Sequence, residues 1–262
     1  STAAPVRDEN DIPYSPRKQG AGLVQLQNAV KTDAFLLNTD NGRPKAELGY
    51  QENGNFAFDF KAVSMSESTI EYEPAVTVLT EKTVTENNIV YIAQKDRKLS
   101  EDEVTVSVPE KITLPANGET KIQVRIALTE TGKANLKKDF PNGIYVEGYV
   151  TLNPVQDGET ALSYPFMGFF GDWQSLSMFD SDIYDDQPAS ICETRIGQFR
   201  NSDGGGYILG HNYYVSGSEE YNADKIAIKG NESGKNVTAA VSLLRNAEKL
   251  TFSVDDPEGN TV

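Results

Sequence analysis

One alternating segment constrains the fold of this chain more than any other feature. Phe56, Phe58 and Phe60 lie on one side of an extended backbone, and Ala57 and Asp59 lie on the other. This assignment follows because successive side chains of a β-strand point to opposite faces. One apolar and one mixed face are typical of a strand with a single buried side. The segment therefore predicts a strand of a β-sandwich or a β-barrel.

The first two-thirds of the chain repeat this pattern of strand and turn. Further β-rich segments are predicted at residues 75–80, 88–93, 104–108, 121–128, 144–152 and 161–170. Turn sequences rich in Gly, Pro, Asn and Asp separate them, at residues 52–54, 115–118, 141–143 and 156–158. About seven short strands separated by such turns predict an all-β antiparallel sandwich of the immunoglobulin type. The spacing leaves little room for βαβ crossovers. The predicted sandwich covers residues 33–170.

Three other segments depart from the strand pattern. Apolar residues between Ala21 and Val30 recur at three- and four-residue spacings, which predicts a short amphipathic helix after Gly22. Its apolar face must dock on the sandwich, contact another molecule or stay partly exposed. Residues 130–140 tolerate helix, but we interpret them as a loop element that links two strands. Residues 1–12 are polar and predict an extended, poorly fixed lead-in.

Composition argues against two classes of function. The chain has 24 basic and 39 acidic residues, and its formal net charge of −15 repels phosphate backbones. Nucleic-acid binding is therefore not expected. No apolar run approaches the ~20 residues that a membrane-spanning helix requires. We therefore expect no membrane insertion within these 262 residues.

The sequence lacks the residues that hydrolysis through a covalent intermediate requires. A hydroxyl nucleophile needs a base that takes up a proton near neutral pH, and histidine is the usual base. His211 is the single histidine, and its glycine-flanked polar context predicts a solvated or hydrogen-bonded loop residue. Cys192 is the single cysteine, so no intrachain disulfide or thiolate metal cage can form, and we expect a small, semi-buried residue. We predict no catalytic, cofactor-binding or metal-binding residues, and no enzyme activity in this part of the protein.

An acidic cluster is the metal-site candidate that deserves most weight. It comprises Asp180, Asp182, Asp185 and Asp186. Carboxylate oxygens are ligands that calcium prefers, but these residues lack the alternating ligand-and-glycine spacing of a dedicated calcium loop. A solvated acidic loop is the alternative, and it is the reading that we favour.

Aromatic residues and two glycosylation triplets complete the candidates. The tyrosines are Tyr207, Tyr213, Tyr214 and Tyr221. Their rings offer stacking surfaces for sugars or peptides, or they fill the seam between two β units, which we favour. Residues 231–233 and 236–238 match the N-glycosylation pattern, which would be silent in a bacterial protein.

Four sequence runs are together similar to one protein family. They are Tyr14–Val24, Thr113–Thr120, Gly143–Val150 and Leu162–Trp173. The first run, YSPRKQGAGLV, resembles the segment that closes the catalytic domain of cell-envelope subtilisin-like serine proteinases, the lactocepin and streptococcal C5a peptidase type. The other three resemble late strands and the exit of the fibronectin type III-like domain in the same proteins.

The resemblance implies a division of the chain into four parts. These are residues 1–32, a lead-in and the end of a catalytic domain; 33–172, the fibronectin type III-like sandwich; 173–220, a connector; and 221–262, the start of a second β-sandwich domain. A complete second sandwich needs ~40–60 further residues, so we expect this one to be cut short. Its open sheet edge near residues 240–262 is then expected to pair with another chain. The acidic joining turn of the family is replaced by KGNESGKN at residues 229–236, which speaks against an ion site there.

The resemblance also implies a function. The chain is expected to be a non-catalytic scaffold and substrate-positioning fragment of a surface-anchored subtilisin-like endopeptidase, with every triad member outside residues 1–262. Its expected partners are its own upstream catalytic domain and protein or peptide substrates, and its expected location is extracellular, at a Gram-positive cell wall. The alternative is an adhesin-like or fibronectin-binding surface module that binds a host ligand through loops at one end of the sandwich.

Overall fold

A computed structural model describes residues 1–87, 89–175, 177–185, 189, 191–200, 205–211, 220–228, 235–256 and 258–261. The chain divides into two units, Ser1–Trp173 and Gln174–Val262. Strands are the main regular element of both units. No helix in the described part of the chain has both the length and the apolar character to cross a membrane.

The first unit is a sandwich of two sheets. The strands of one sheet are β1 (Ala34–Asn38), β3 (Asn55–Ser64), β6 (Val104–Ser107) and β8 (Glu119–Leu128). The strands of the other are β2 (Ala46–Gln51), β4 (Ile70–Glu86), β5 (Ile89–Lys98), β7 (Ile112–Leu114), β9 (Ile144–Pro154) and β10 (Leu162–Phe170). The spatial orders are β1-β3-β8-β6 and β2-β10-β9-β4-β5, with β7 also paired to β4. The predicted all-β sandwich is confirmed, and only the β2–β10 pair within these two sheets is parallel.

Aromatic side chains from both sheets fill the centre of the sandwich. The three alternating phenylalanines of β3 are buried, as predicted. Phe60 stacks on Tyr164 of β10 with ring centroids 4.4 Å apart, and Phe58 lies 5.4 Å from Phe166. Such contacts between rings add to the free energy gained by removing apolar surface from water. The two sheets are therefore joined by the strand whose alternation is clearest in the sequence.

Three strands of the sandwich were not predicted, namely β1, β2 and β7. They have five, six and three residues. With three residues, β7 carries too few alternating positions for its period to be recognised, and the apolar run AFLL of β1 does not alternate with polar residues. In β2 the backbone is also interrupted by Gly49, which has a φ of 64°. These strands form because longer neighbours offer them a hydrogen-bonding edge.

Residues 130–139 form a helix, so the interpretation of this stretch as a loop was wrong. The helix α3 spans Glu130–Asp139. Thr129 caps it, since the Thr129 hydroxyl accepts a hydrogen bond from the N–H of Gly132 at 3.0 Å. Leu136 is completely buried against the core. The cap and this single apolar anchor stabilise a helix whose other residues are mostly polar.

The N-terminal segment, residues 1–32, contacts the outer face of the six-stranded sheet between Tyr14 and Gly20. It contains the helices α1 (Pro16–Gln19) and α2 (Leu26–Lys31). The prediction of a short helix after Gly22 is confirmed by α2. The lead-in is extended but not poorly fixed, because the Ser163 N–H donates to the Ser1 carbonyl at 2.6 Å and Ala4 bridges to Leu23. The bond to Ser163 comes from the distant strand β10, which the local sequence does not reveal.

The second unit contains a small antiparallel sheet. Its strands are β11 (Arg195–Arg200), β12 (Gly206–Ile208) and β13 (Lys235–Ala240), in the order β12-β11-β13. A bridge between Phe179 and Leu243 adds a further contact within the unit. The pairing joins strands on both sides of residue 220, where the sequence suggested a boundary between connector and second domain.

Candidate functional site: an ionic cluster under the N-terminal segment

An ionic cluster lies between the N-terminal segment and the outer face of the six-stranded sheet. Arg17 and Lys18 of α1 meet Glu81 of β4, Asp96 of β5 and Glu147 of β9. The carboxyl side chains of Asp96 and Glu147 are fully buried. Charged side chains are rarely buried to this extent unless they are paired. The cluster is therefore a specific contact rather than a chance meeting of surface charges.

Local structure brings the two cations to the sheet. Pro16 opens α1, as suits the first helical position, and Gly20 ends it with a φ of 65°. The resulting single turn presents Arg17 and Lys18 next to each other. On the sheet side, Glu147 alternates with inward-facing apolar residues of β9, so its side chain points to the outer face.

Arg17 contacts two glutamates. Its Nε donates to Glu147 Oε1 at 2.8 Å, and its Nη2 donates to Glu81 Oε1. The backbone N–H of Arg17 also donates to Glu147 Oε2 at 3.4 Å. The guanidinium carbon lies 4.0 Å from the centroid of the Tyr145 ring, a cation–π contact. Glu147 thus holds both the main chain and the side chain of one residue.

Lys18 joins β4 and β5 to the same helix. Its Nζ lies 2.7 Å from Asp96 Oδ1 and 3.2 Å from Glu81 Oε2, and it donates to the Gln94 carbonyl at 3.2 Å. The second oxygen of Asp96 accepts a hydrogen bond from the Ser15 N–H at 2.8 Å. Both oxygens of this buried carboxylate are therefore satisfied.

Two neutral side chains tie down the backbone around the cluster. The hydroxyl of Tyr149 lies 3.1 Å from the Tyr14 carbonyl and 3.0 Å from the Gly20 carbonyl. The Gln19 amide donates to the Tyr14 carbonyl at 2.6 Å and accepts from the Val6 N–H at 2.7 Å. These contacts fix the chain on both sides of α1.

The cluster has more carboxylates than cations. Burial raises the pKa of Glu147, and the hydrogen bonds and charge of Arg17 offset this only in part. Burial acts to lower the pKa of Arg17, but hydrogen bonds and charges from Glu147 and Glu81 outweigh it, so that pKa is raised. The pKa of Lys18 is likewise raised, because Asp96 and Glu81 outweigh burial. With three carboxylates and two cations, the ionised cluster carries one negative charge.

This arrangement is suited to anchoring a segment. Each charged group of the cluster is bonded to an opposite charge within it. Removal of one partner would leave a buried charge uncompensated, so the segment cannot leave the sheet without a large cost. The cluster therefore fixes residues 14–20 on β4, β5 and β9.

Beyond the anchored part, the N-terminal segment exposes apolar side chains. Leu23, Val24, Leu26 and Val30 are 62%, 74%, 74% and 86% exposed. Of the three outcomes considered for this helix, the structure therefore excludes docking on the sandwich. Large exposed apolar side chains this close together in the chain are typical of an interaction surface.

His211 and Cys192 both lie in the second unit. His211 bridges to Tyr221, with ring centroids 4.9 Å apart. Cys192 is exposed, so the expectation of a semi-buried thiol was wrong. The reason is local: the Cys192 N–H points inward to Asp180 Oδ2 at 3.2 Å.

Two aspartates of the acidic cluster accept hydrogen bonds from nearby backbone N–H groups. Asp180 Oδ2 also accepts from the Ile191 N–H at 2.7 Å, and Asp182 Oδ1 accepts from the Tyr184 N–H at 2.8 Å. Asp186 lies outside the described residues. The described residues contain no group of three or more side chains placed to hold a metal ion.

The remaining sequence candidates fall only in part within the described residues. The Tyr207 hydroxyl donates to Gln198 Oε1 at 3.1 Å. Tyr213, Tyr214, the triplet 231–233 and most of the turn 229–236 lie outside the described residues. Asn236 and the rest of its triplet lie in β13.

Sequence analysis missed every member of the ionic cluster. The run containing Arg17 and Lys18 was recognised by its resemblance alone, without a role for either side chain. Glu147 lies between Tyr145 and Tyr149 on the polar face of a strand whose other face is apolar. An antiparallel sheet often has such a polar face in contact with water, so this pattern did not reveal that a segment covers it.

Comparison with protein families identifies part of the sandwich. Residues 47–167 match the model of an Fn3-like domain. This range contains most strands of both sheets and all three carboxylates of the ionic cluster, while Arg17 and Lys18 precede it.

Curated relatives are longer proteinases. The chain is 29% identical to a C5a peptidase of Streptococcus pyogenes serotype M18, over 72% of the chain and 16% of the relative. It is 26% identical to a PII-type proteinase of Lacticaseibacillus paracasei, over 100% of the chain and 14% of that protein. The chain thus spans less than a fifth of the length of these relatives. Among solved structures, the PapD-like domain 7 of human CEP192 shares 12% identity, with a TM-score of 0.32 over 54% of the chain and 86% of that domain.

Proposed function

Because this chain carries an Fn3-like domain and is related over its whole length to cell-envelope proteinases, we propose that it is a non-catalytic accessory region of a subtilisin-like serine endopeptidase. In this role the sandwich supports the catalytic domain and helps to position large protein substrates. The relatives are proteinases, and the chain matches only a small part of each. The proteolytic chemistry is then supplied by a triad outside residues 1–262.

The ionic cluster is the observation that carries this proposal. It bonds residues 14–20, the run that resembles the end of a catalytic domain, to three strands of the sandwich. A catalytic domain that ends in this run would be held in a fixed relation to the sandwich. The exposed side chains of Leu23, Val24, Leu26 and Val30 add an apolar surface next to the anchored run. Both features suit a sandwich that holds the catalytic domain in a fixed orientation.

The proposed location is the outer surface of a Gram-positive cell. The net charge of −15 and the single cysteine are compatible with a secreted chain that folds without disulfides. The proposed partners are the upstream catalytic domain and protein or peptide substrates. Nucleic acid is an unfavourable partner for a chain of this charge.

The test uses the full-length proteinase that contains this chain. Arg17→Gln combined with Lys18→Gln is expected to lower the temperature at which proteolysis of a labelled protein substrate is lost. The matched control, Lys61→Gln combined with Lys121→Gln, removes exposed partners of Glu119 and Asp59 on the other sheet and should leave that temperature unchanged. Equal effects of the two double variants would contradict the support role. Hydrolysis by the 262-residue chain alone, abolished by one substitution within it, would contradict its non-catalytic character.

An aromatic surface pocket favours the second class of function, an adhesin-like module. The pocket has a volume of about 300 Å³ and is lined by Tyr50, Tyr145, Phe169 and Trp173 among others. Phe169 and Trp173 meet edge to face at 4.8 Å. Such a pocket offers stacking surfaces to a host glycan or peptide. Binding of the chain to immobilised fibronectin, weakened by Tyr50→Ala, would support this class; absence of binding would leave the accessory role alone.

A further inference from the structure

Two pockets of the six-stranded sheet adjoin each other on its outer face. The first has a volume of about 430 Å³ and is lined by residues of α1, of the start of β2 and of β10. The second is the aromatic pocket of about 300 Å³ described above. Glu47 and Met167 line both pockets, so the two form one groove, which we call the β10 groove.

The β10 groove is elongated along its strand. Its lining runs from Pro165 in the first pocket to Phe169 in the second. Strand β10 keeps a regular register with β9, so Pro165, Met167 and Phe169 share the outer face, while Tyr164 and Phe166 enter the core. Four residue steps of ~3.3 Å give a length of ~13 Å. The groove is therefore long enough for a chain-shaped ligand.

The first pocket offers a ligand few hydrogen-bond donors. Strand β10 is paired on both sides, with β9 and β2, so its backbone groups lie in the plane of the sheet. Pro16, Pro44 and Pro165 line the pocket and have no N–H. The Gly20 N–H is bonded to the Pro16 carbonyl at 2.7 Å. The three prolines and Gly20 therefore present apolar surface without a free N–H.

This lining distinguishes two kinds of chain-shaped ligand. A polypeptide that enters the groove loses water from its N–H and C=O groups, and each hydrogen bond that is not replaced costs free energy. An alkyl chain has no such groups. Its burial against Met167 and the aromatic rings is favourable in proportion to the area removed from water. The lining therefore favours an alkyl chain over a polypeptide.

Positive charge lies at the α1 end of the groove. Arg17, Arg43 and Lys45 line the first pocket, and Glu47 is the single carboxylate among its described lining residues. Arg17 is already paired within the ionic cluster. Lys45 Nζ and Arg43 Nη1 lie 2.6 and 3.6 Å from oxygens of Glu47, so two exposed cations share one carboxylate. In a chain of net charge −15, this local positive surplus favours an anionic head group.

We propose that the β10 groove binds a single-chain fatty acid. The carboxylate lies between Arg43 and Lys45, and the alkyl chain runs over Met167 to the rings of Phe169 and Trp173. The aromatic pocket is then one end of a longer site, and a neutral glycan bound in that pocket alone would make no use of the two cations. This site goes beyond the support role proposed above and does not depend on it.

The test follows the fluorescence of Trp173, the single tryptophan, in the 262-residue chain. Laurate is the probe, and dodecyltrimethylammonium is the matched control, since it has an alkyl chain of the same length and a cationic head. Laurate is expected to change the emission saturably and to bind about tenfold or more tightly than the control. Nonspecific attraction to a chain of net charge −15 would favour the cation instead, so this preference reports on the groove.

Two measurements separate the head group from the tail. Butyrate keeps the carboxylate but shortens the alkyl chain, and it should bind about tenfold or more weakly than laurate. Arg43→Gln combined with Lys45→Gln should weaken laurate binding about tenfold. The matched control, Lys61→Gln combined with Lys121→Gln, removes two cations from the other sheet and should leave laurate binding unchanged.

A second pair of variants locates the alkyl chain. Met167→Glu places a charge in the middle of the groove and is expected to abolish saturable laurate binding. Met65→Glu, at a 54% exposed position that lines neither pocket, should leave it unchanged. A laurate response that persists in Met167→Glu would overturn the proposal, because the ligand would then bind elsewhere.

The unmodified chain alone can also overturn the proposal. Absence of a saturable change in Trp173 emission up to about 1 mM laurate would do so. Equal or tighter binding of dodecyltrimethylammonium would do so as well, and this comparison needs no variant to fold. A saturable response to cellotetraose or to acetyl-Leu-Ala-Leu-Glu-amide, with none to laurate, would assign the groove to a glycan or to a peptide instead.

Discussion

The pair Arg97–Glu103 and the pair Arg17–Glu147 differ in the direction in which the pKa of the glutamate moves. Glu103 lies at the corner between β5 and β6, and Glu147 lies on β9 under the N-terminal segment. Both residues are buried, with 7% and 0% of their surface exposed. The pKa of Glu103 is lowered to about 2, whereas the pKa of Glu147 is raised.

The number of hydrogen-bond donors explains this difference. Glu103 accepts two bonds from Arg97, at 2.7 and 3.0 Å, one from the Ser100 N–H at 3.1 Å and one from Asn135 at 3.2 Å. These bonds to the ionised form outweigh its burial. Glu147 is fully buried and shares Arg17 with Glu81, so burial outweighs its bonds. A salt bridge alone therefore does not show whether a buried carboxylate prefers to be ionised.

Acidification tests the Glu103 side of the comparison and has the largest expected effect. Its pKa is about 2 in the folded chain against a reference of 4.5, so its stabilisation is present above pH 4.5 and is lost as the pH falls to about 2. The loss corresponds to about 3 kcal/mol of the free energy of unfolding. Urea titrations followed by fluorescence of Trp173, the single tryptophan, report on the first unit. Glu103→Gln should remove this part of the pH dependence, and an identical acid slope in the variant would contradict the assignment.

Arg17→Gln tests the other pair and has the second largest expected effect. The change leaves Glu147 buried without its cation, and a loss of about 2 kcal/mol is expected, below the usual range for buried pairs because Arg17 is 28% exposed. The loss should be local. Hydrogen exchange is expected to accelerate at the N–H of Ser15 and of Leu23, which bond to Asp96 and Ala4, and to stay slow in β3. Uniform acceleration over the whole unit would show that the cluster stabilises the sandwich itself rather than the attachment of the segment.

Sequence separation decides which of the two pairs was predictable. Arg97 and Glu103 are 6 residues apart, whereas Arg17 and Glu147 are 130 apart. A local pair can be proposed from a turn, but a distant pair depends on which segment covers which sheet face. The same reason explains why the alternation of Phe56, Phe58 and Phe60 predicted a buried face correctly, while nothing predicted the cover over Tyr145 and Tyr149. Strand period records the side that is buried by the partner sheet; the cover on the other side is a tertiary contact.

Helix α3 shows a second limit of the sequence. Its composition is polar, and its one fully buried apolar residue is Leu136. Amphipathic period was therefore too weak to identify it. The Thr129 cap was visible in the sequence, and greater weight on that cap would have identified the helix.

Glu147→Gln tests the raised pKa of Glu147 through the sign with which stability depends on pH. The expected change in the free energy of unfolding is about 1 kcal/mol. Burial raises the pKa of Glu147 in the folded chain, so the folded state binds more protons than the unfolded state above pH 4.5. The stability that the neutral form contributes is present below pH 4.5 and is lost as the pH rises through the raised pKa. Wild type should therefore lose stability relative to the glutamine variant over this interval. If the stability of the wild type relative to the variant instead rose with pH, as expected for Glu103, the attraction of Arg17 rather than burial would determine the pKa of Glu147.

Lys61→Gln is the matched comparison at the surface and has the smallest expected effect. Lys61 Nζ lies 2.8 Å from Glu119 Oε2, a distance equal to that between Arg17 Nη2 and Glu147 Oε1. The side chains of Lys61 and Glu119 are 34% and 60% exposed, so water screens their attraction and a change within about 0.5 kcal/mol is expected. The same urea titration measures it, and 1 M salt should not alter the result further. If Lys61→Gln cost as much as Arg17→Gln, distance rather than burial would set the value of these pairs, and the contrast between the two buried glutamates would need another cause.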